Sequence, residues 1–135
     1  MIFIQKGRFR LFWYKKIAIV INKIKIENNP YLKILSMSFN QNLKGEGLDL
    51  ILNVISKSTK VLAFVECGLS NWGALRIIGY VYKNINVNEI YLVGNSFTIN
   101  TQREFKKLKI DRHYLTIISG WPSKEFKEMV KKNYN

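Results

Sequence analysis

Two carboxylates, Asp49 and Glu66, carry the clearest chemical signal in the chain. Asp49 opens the apolar run DLILNVI, Glu66 lies near the end of KVLAFVEC, and Ser56-Lys57-Ser58-Thr59 separates the two runs. If both runs are strands of one hairpin, the start of the first lies beside the end of the second. The two acids then come within a few ångströms of each other. Like charges at a sheet end repel and are costly to bury unless a cation sits between them. A hard divalent ion, Mg²⁺ or Mn²⁺, satisfies both, and such an ion can activate water and polarise a phosphodiester. In that arrangement Asp49 and Glu66 are metal ligands. The plainer alternative is that each acid marks a strand end and is solvated or paired with a lysine.

Other reactive side chains read as structural. Alternation turns Cys67 to the face opposite Glu66, as a buried thiol. One cysteine and one histidine exclude a disulfide framework and a closed Cys/His zinc site. His113, among Asp111, Arg112 and Tyr114, has no second ligand at metal spacing and reads as a surface residue. Leu92-Val93-Gly94-Asn95-Ser96 ends a strand but lacks the lysine of a phosphate loop. Trp72 and Tyr80 suit either base stacking or the core.

The elements that must position these groups alternate along the chain. Ile2–Gln5, Arg8–Tyr14 and the isoleucines from Ile17 to Ile26 show the period of strands. Tyr31–Phe39 after Pro30 reads as a short helix. Asp49–Ile55 and Lys60–Cys67 read as paired strands, the second apolar enough to be central. Ser70 or Asn71 caps a helix running to Lys83, with Ala74, Leu75, Ile78 and Val81 or Tyr82 as its core stripe. Glu89–Gly94 and Tyr114–Ser119 are strands. Thr101-Gln102-Arg103-Glu104 opens a helix to Leu108, and a basic helix follows Pro122. The expected fold class is α/β, a mixed central sheet with flanking helices. Residues 1–135 form a single domain: a basic β-rich part over 1–44, a core over 45–119 and a C-terminal basic helix over 120–135. No internal repeat or linker is evident.

The chain has 135 residues, 47% hydrophobic, with 22 Lys and Arg against 9 acids and a net charge of +13. Such an excess is self-repelling unless a polyanion is nearby. It is concentrated early: Lys6, Arg8, Arg10, Lys15, Lys16, Lys23, Lys25, Lys33 and Lys44 face one acid, Glu27. Phe9, Phe12, Trp13 and Tyr14 interleave with them. Cations beside aromatic faces suit nucleic acid, so Lys6, Arg8, Arg10, Lys15 and Lys16 are candidate phosphate contacts. An anionic membrane surface is less favoured, because no basic amphipathic helix stands out. No apolar run approaches the roughly 20 residues of a membrane span. The N-terminus runs from apolar to basic, the reverse of a secretory signal. A reduced, cytoplasmic setting is the expectation.

The stretch GEGLDLILNVISKSTKVLAFVECG, with the helix NWGALRIIGYVYK and the strand EIYLVG, resembles the core of PD-(D/E)XK nucleases, the restriction-endonuclease-like enzymes. The resemblance spans roughly residues 45–95. It equates Asp49 with the family's first acid and Glu66 with the acid of the (D/E)-X-K element. Arg76-Ile77-Ile78-Gly79-Tyr80 has the spacing of the Gln-x-x-x-Tyr found in one branch, with Arg for Gln. The resemblance implies a restriction-endonuclease-like core, a Mg²⁺-dependent DNA endonuclease or junction resolvase, and a homodimer, because cutting two strands takes two sites. The family's lysine falls on Gly68, which has no side chain; Lys60, Lys83 or Arg76 could stand in. In the active enzyme that the resemblance implies, Asp49 and Glu66 hold the metal with the Cys67 carbonyl as a further ligand, Arg76 or a displaced lysine contacts the phosphate, and Glu46 could supply another carboxylate. A catalytically lapsed DNA-binding or assembly module of the same fold is the first alternative. An unrelated basic α/β RNA-binding protein is the second.

Overall fold

Short apolar runs alternate with longer amphipathic ones, and each pair of runs builds one strand and one helix. The computed structural model describes residues 2–3 and 30–119. In chain order these are β1 (Ile2–Phe3), β2 (Ile34–Ser36), α1 (Lys44–Val54), β3 (Val61–Ala63), α2 (Asn71–Lys83), β4 (Glu89–Tyr91), α3 (Ile99–Asp111) and β5 (Thr116–Ile118). Every strand pair is parallel, and the spatial order is the chain order, β1-β2-β3-β4-β5. Strands β2–β5 make a four-stranded parallel core, and β1 adds two residues at the β2 edge. Right-handed crossovers that always step the same way place their helices on one face of the sheet. The helices accordingly pack in sequence, α1 on α2 and α2 on α3.

The α/β class with flanking helices is as expected, but the described sheet is wholly parallel rather than mixed. Two elements exchange type. Asp49–Ile55, expected as a strand, lies in α1 and its cap, because Leu48, Ile51, Leu52 and Ile55 recur at helical spacing and all four are buried. Tyr31–Phe39, expected as a helix, contains β2, where Leu35 and Met37 alternate inward. The expected hairpin therefore does not form; β3 pairs in parallel with β2 and β4. Helix α2 and strands β4 and β5 fall within their expected spans. On α2 the solvent takes Leu75, 54% exposed, and Ile77 fills the core in its place. Helix α3 starts at Ile99 rather than Thr101, whose hydroxyl donates to Asn71 Oδ1 at 2.7 Å. The expected boundary at residues 44 and 45 falls in the first turn of α1, and β2, before it, shares the same sheet. The expected strands at 8–14 and 17–26 and the helix after Pro122 lie outside the described residues.

The register uncovers an internal repeat, contrary to the reading of the sequence. Leu35, Leu62, Ile90 and Ile117 stand in one row across the sheet, recurring about every 27 residues, within the range of repeat architectures. Met37, Phe64 and Leu92 form the next buried row. Each strand then leaves the sheet through a left-handed residue: Phe39 (φ 66°), Glu66 (φ 49°) and Gly94 (φ 81°). Glycine is required at the last, since a Cβ there would collide with the Glu66 side chain stacked above it. Next come the buried Asn40, Cys67 and Asn95, and then the buried apolar Leu43, Leu69 and Phe97.

Asn95 shows what this position does. Its Oδ1 accepts from the backbone N–H groups of Cys67 and Leu69, both at 3.0 Å. Its Nδ2 donates to the carbonyls of Phe64 and Leu92, both at 2.8 Å. Four buried backbone groups from two successive repeats are thereby satisfied by one side chain. Asn40 makes the equivalent bond to Met37 O at 2.6 Å, and the Cys67 thiol reaches the same carbonyl at 3.1 Å. Replacing Asn95 with Ala strands these groups, so urea unfolding should show a loss of about 2–5 kcal/mol. A loss within ~0.5 kcal/mol, the range of ordinary surface substitutions, would show that the turn is held by something else.

Candidate functional site

Asp49 lies along α1 and is held by α2. Arg76 Nε donates to Asp49 Oδ1 at 2.7 Å, and a second guanidinium nitrogen donates to the same oxygen. The guanidinium also sits over the Trp72 ring, 5.8 Å from its centroid. Arg76 is 46% exposed and Asp49 31%, so this is a surface brace between helices, worth about 0–1 kcal/mol. Glu66 belongs to a different element. It is exposed in the turn at the carboxyl end of β3, its N–H bonded to Val93 O at 2.9 Å. The hairpin that was to join the two acids is absent, and with it the reason for them to meet.

The remaining members of the expected site are also engaged elsewhere. The Cys67 carbonyl accepts the Lys44 N–H at 2.9 Å. The thiol is buried, donates to backbone carbonyls, and is pushed up to about 12 by burial. Gly68 adopts φ 68°, and a Cβ there would run into the Gln41 carbonyl oxygen. No side chain fits where the resemblance seeks its lysine. Lys60 precedes β3, at the opposite end of the strand from Glu66, and Lys83 ends α2. Glu46 is exposed in the first turn of α1. Among the described residues no group of three or more His, Cys, Asp or Glu side chains could hold a metal. His113 is exposed beside Tyr114. Lys6, Arg8, Arg10, Lys15 and Lys16 lie outside the described residues.

The face of the sheet away from the helices is the surface that sequence reasoning missed. Side chains alternate along each strand, so the residues between the buried ones line up here. Ile34, Val61, Glu89 and Thr116 form one row, and Ser36, Ala63, Tyr91 and Ile118 the next. Ser38, Val65 and Val93 continue a third, with Val65 N–H bonded to Ser38 Oγ at 3.1 Å. Most of these side chains are half-buried, and the single charge among them, Glu89, accepts the Tyr91 hydroxyl at 2.8 Å. Two short strings would have disclosed the arrangement: Leu62-x-Phe64-x-x-Cys67-x-Leu69 and Ile90-x-Leu92-x-x-Asn95-x-Phe97 have identical spacing. No family model matches the chain, and no curated protein is detectably similar to it in sequence. Among the described residues no helix is long and apolar enough to cross a membrane.

The Cys67 thiol provides a test of this geometry. Its folded-state pKa is raised from 9.0 to about 12, so its contribution is fully present below pH 9 and disappears as pH rises through about 12. Tyr80, raised from 10.0 to about 12 by burial, acts in the same direction. The thermal midpoint should fall between pH 9 and 11, and less steeply in Cys67→Ala. An identical pH profile for the variant would mean that the thiol is not buried in the folded state.

Proposed function

We propose that this chain is a binding protein: a short stack resembling leucine-rich repeats that offers the face of its sheet away from the described helices to a polypeptide partner. The observation that carries this reading is the in-register repetition of Φ-x-Φ-x-x-(Asn/Cys), the spacing of leucine-rich repeats, with outward rows of small, apolar and hydroxyl side chains. Such stacks bury a continuous core and leave one face for recognition. Parallel sheets are ordinarily covered on both faces. Val61, Ala63, Val65, Tyr91 and Val93 offer a partner apolar contact, and the exposed Thr116 offers it a hydrogen bond, while Ser36 and Ser38 are buried and bonded to each other. With no Lys or Arg in these rows, the described residues of the face offer nothing to neutralise a phosphate backbone. A polypeptide suits it better than nucleic acid.

The nuclease reading is the second proposal. In it a restriction-endonuclease-like core uses Asp49, Glu66 and Cys67 to hold Mg²⁺ or Mn²⁺ against DNA, as a homodimer. The resemblance of residues 45–95 is what favours it. It requires Asp49 to leave Arg76 and α1 to reorganise toward Glu66, and so it has less support. The lapsed DNA-binding module and the RNA-binding protein need only cations, and they draw on the basic surface rather than on the sheet.

Selection of a random peptide library on the full chain separates these readings. Enriched peptides should bind the parent protein and lose at least tenfold in affinity for Ala63→Arg, which keeps the fold but places a charge in the middle row. Equal affinity for both proteins would remove the sheet face from consideration. Duplex and branched DNA incubated with Mg²⁺ should stay intact. Hydrolysis abolished by Asp49→Ala would instead establish the nuclease.

A further inference from the structure

The helix layer contains a cleft that the sheet-face reading does not use. It opens between the C-terminal parts of α1 and α2 and has a volume of about 540 Å³. Among the described residues three cations line it, Lys57, Arg76 and Lys83, and no carboxylate does. Lys57 and Lys83 make no ion pair among the described residues, whereas Arg76 is held in place by Asp49, which offsets part of its charge. Leu52 and Ile55 contribute apolar walls, both largely buried.

Three observations indicate that the cleft is more than a gap between helices. First, the negative end of α2, where cations would ordinarily be drawn, is already capped. Arg112 donates to Val81 O and to Tyr82 O, and Asn84 Nδ2 donates to Tyr80 O at 2.7 Å. Lys83 is therefore not needed to complement that terminus. Second, Gly79 lies in the middle of α2 and lines the cleft, yet a Cβ there would meet nothing within 4 Å. Glycine inside a helix is unfavourable relative to alanine. No packing demands it here, and its effect is to keep the cleft open. Third, Tyr80 lines the cleft, and its hydroxyl, buried behind the wall, has no hydrogen-bond partner among the described residues. A buried polar atom of this kind marks a place where a partner is missing.

We infer that this cleft binds a phosphate-bearing ligand, with the phosphate held among Lys57, Arg76 and Lys83. A guanidinium fixed by a neighbouring carboxylate presents its remaining N–H groups in a set direction. Two ammonium groups with no ion-pair partner among the described residues supply charge without needing to leave one. The phosphate can come from a small polyphosphate or nucleotide, or from one strand of a nucleic acid. The site lies on the helix side of the sheet, and so it stands or falls independently of the peptide-binding face.

Calorimetric titration of the full chain with sodium tripolyphosphate and, separately, with a single-stranded oligothymidylate tests this. Lys57→Gln/Lys83→Gln removes charge from the cleft. Gly79→Leu fills it and leaves every charge in place. Lys106→Gln/Lys109→Gln on α3 removes the same charge elsewhere, and circular dichroism confirms that each variant is folded. At least one probe should bind the parent and lose at least tenfold in affinity in both cleft variants, with the α3 variant changed less than threefold. Binding of tripolyphosphate identifies a free phosphate compound as the source; binding of the oligonucleotide alone identifies a strand. The inference is overturned if neither probe binds, if Gly79→Leu binds like the parent, or if the α3 pair loses as much as the cleft pair. The last result would describe a diffuse polyelectrolyte effect.

Discussion

Each strand of this protein must deliver the chain from the sheet to a helix on the same face, and the turn that does so is buried between its neighbours. Backbone N–H and C=O groups in such a turn have no water to bond. Asn95 resolves the problem with four hydrogen bonds that tie the exit from β3 to the exit from β4. The strands themselves are too brief to hold the sheet, since β2 to β5 have three residues each. The apolar rows and this polar ladder hold it together. Cys67 occupies the same position one repeat earlier with a weaker donor, which reaches the Met37 carbonyl.

This constraint divides the molecule into two chemically different sides. Among the described residues the sheet face is almost uncharged, because these residues come from strand positions set between the buried rows. The helix side carries cations such as Lys57, Arg76 and Lys83, and α3 adds Arg103, Lys106, Lys107 and Lys109. A polypeptide partner and a phosphate-bearing one can therefore be recognised by different surfaces of one small fold. The same repeat places Asp49 on a helix and Glu66 in a turn, in place of the hairpin that would have paired them.

The class of the fold was legible in the sequence, as were α2, β4 and β5, because NWGALRIIGYVYK and EIYLVG carry unambiguous periods. The errors have one physical origin. DLILNVI is rich in branched residues and short, and over seven residues an apolar helix face and an apolar strand look alike. Placing α1 correctly requires looking beyond that window, to Leu48, Ile51, Leu52 and Ile55 together. Once it was read as a strand, a hairpin followed, then a meeting of acids, then a metal. Gly68 held the contrary signal. A glycine at the lysine position is a departure when compared with a nuclease, whereas its positive φ beneath the Gln41 carbonyl makes it a necessity of the turn. The repeat was equally legible in the spacing of Cys67 and Asn95, but only by comparing the segments with each other rather than reading them in order.

Native-state amide exchange at Cys67 and Leu69 tests the central claim most directly. Both N–H groups lie in a turn, beyond the ladder of any strand, and both are bonded to one buried side chain. The account predicts that they exchange as slowly as Leu62 and Ile90 in the sheet, with protection lost at both together when Asn95 is replaced. Exchange as fast as at the exposed Ser70 would mean that the ladder does not exist in solution, and the repeat could not then be what organises this protein.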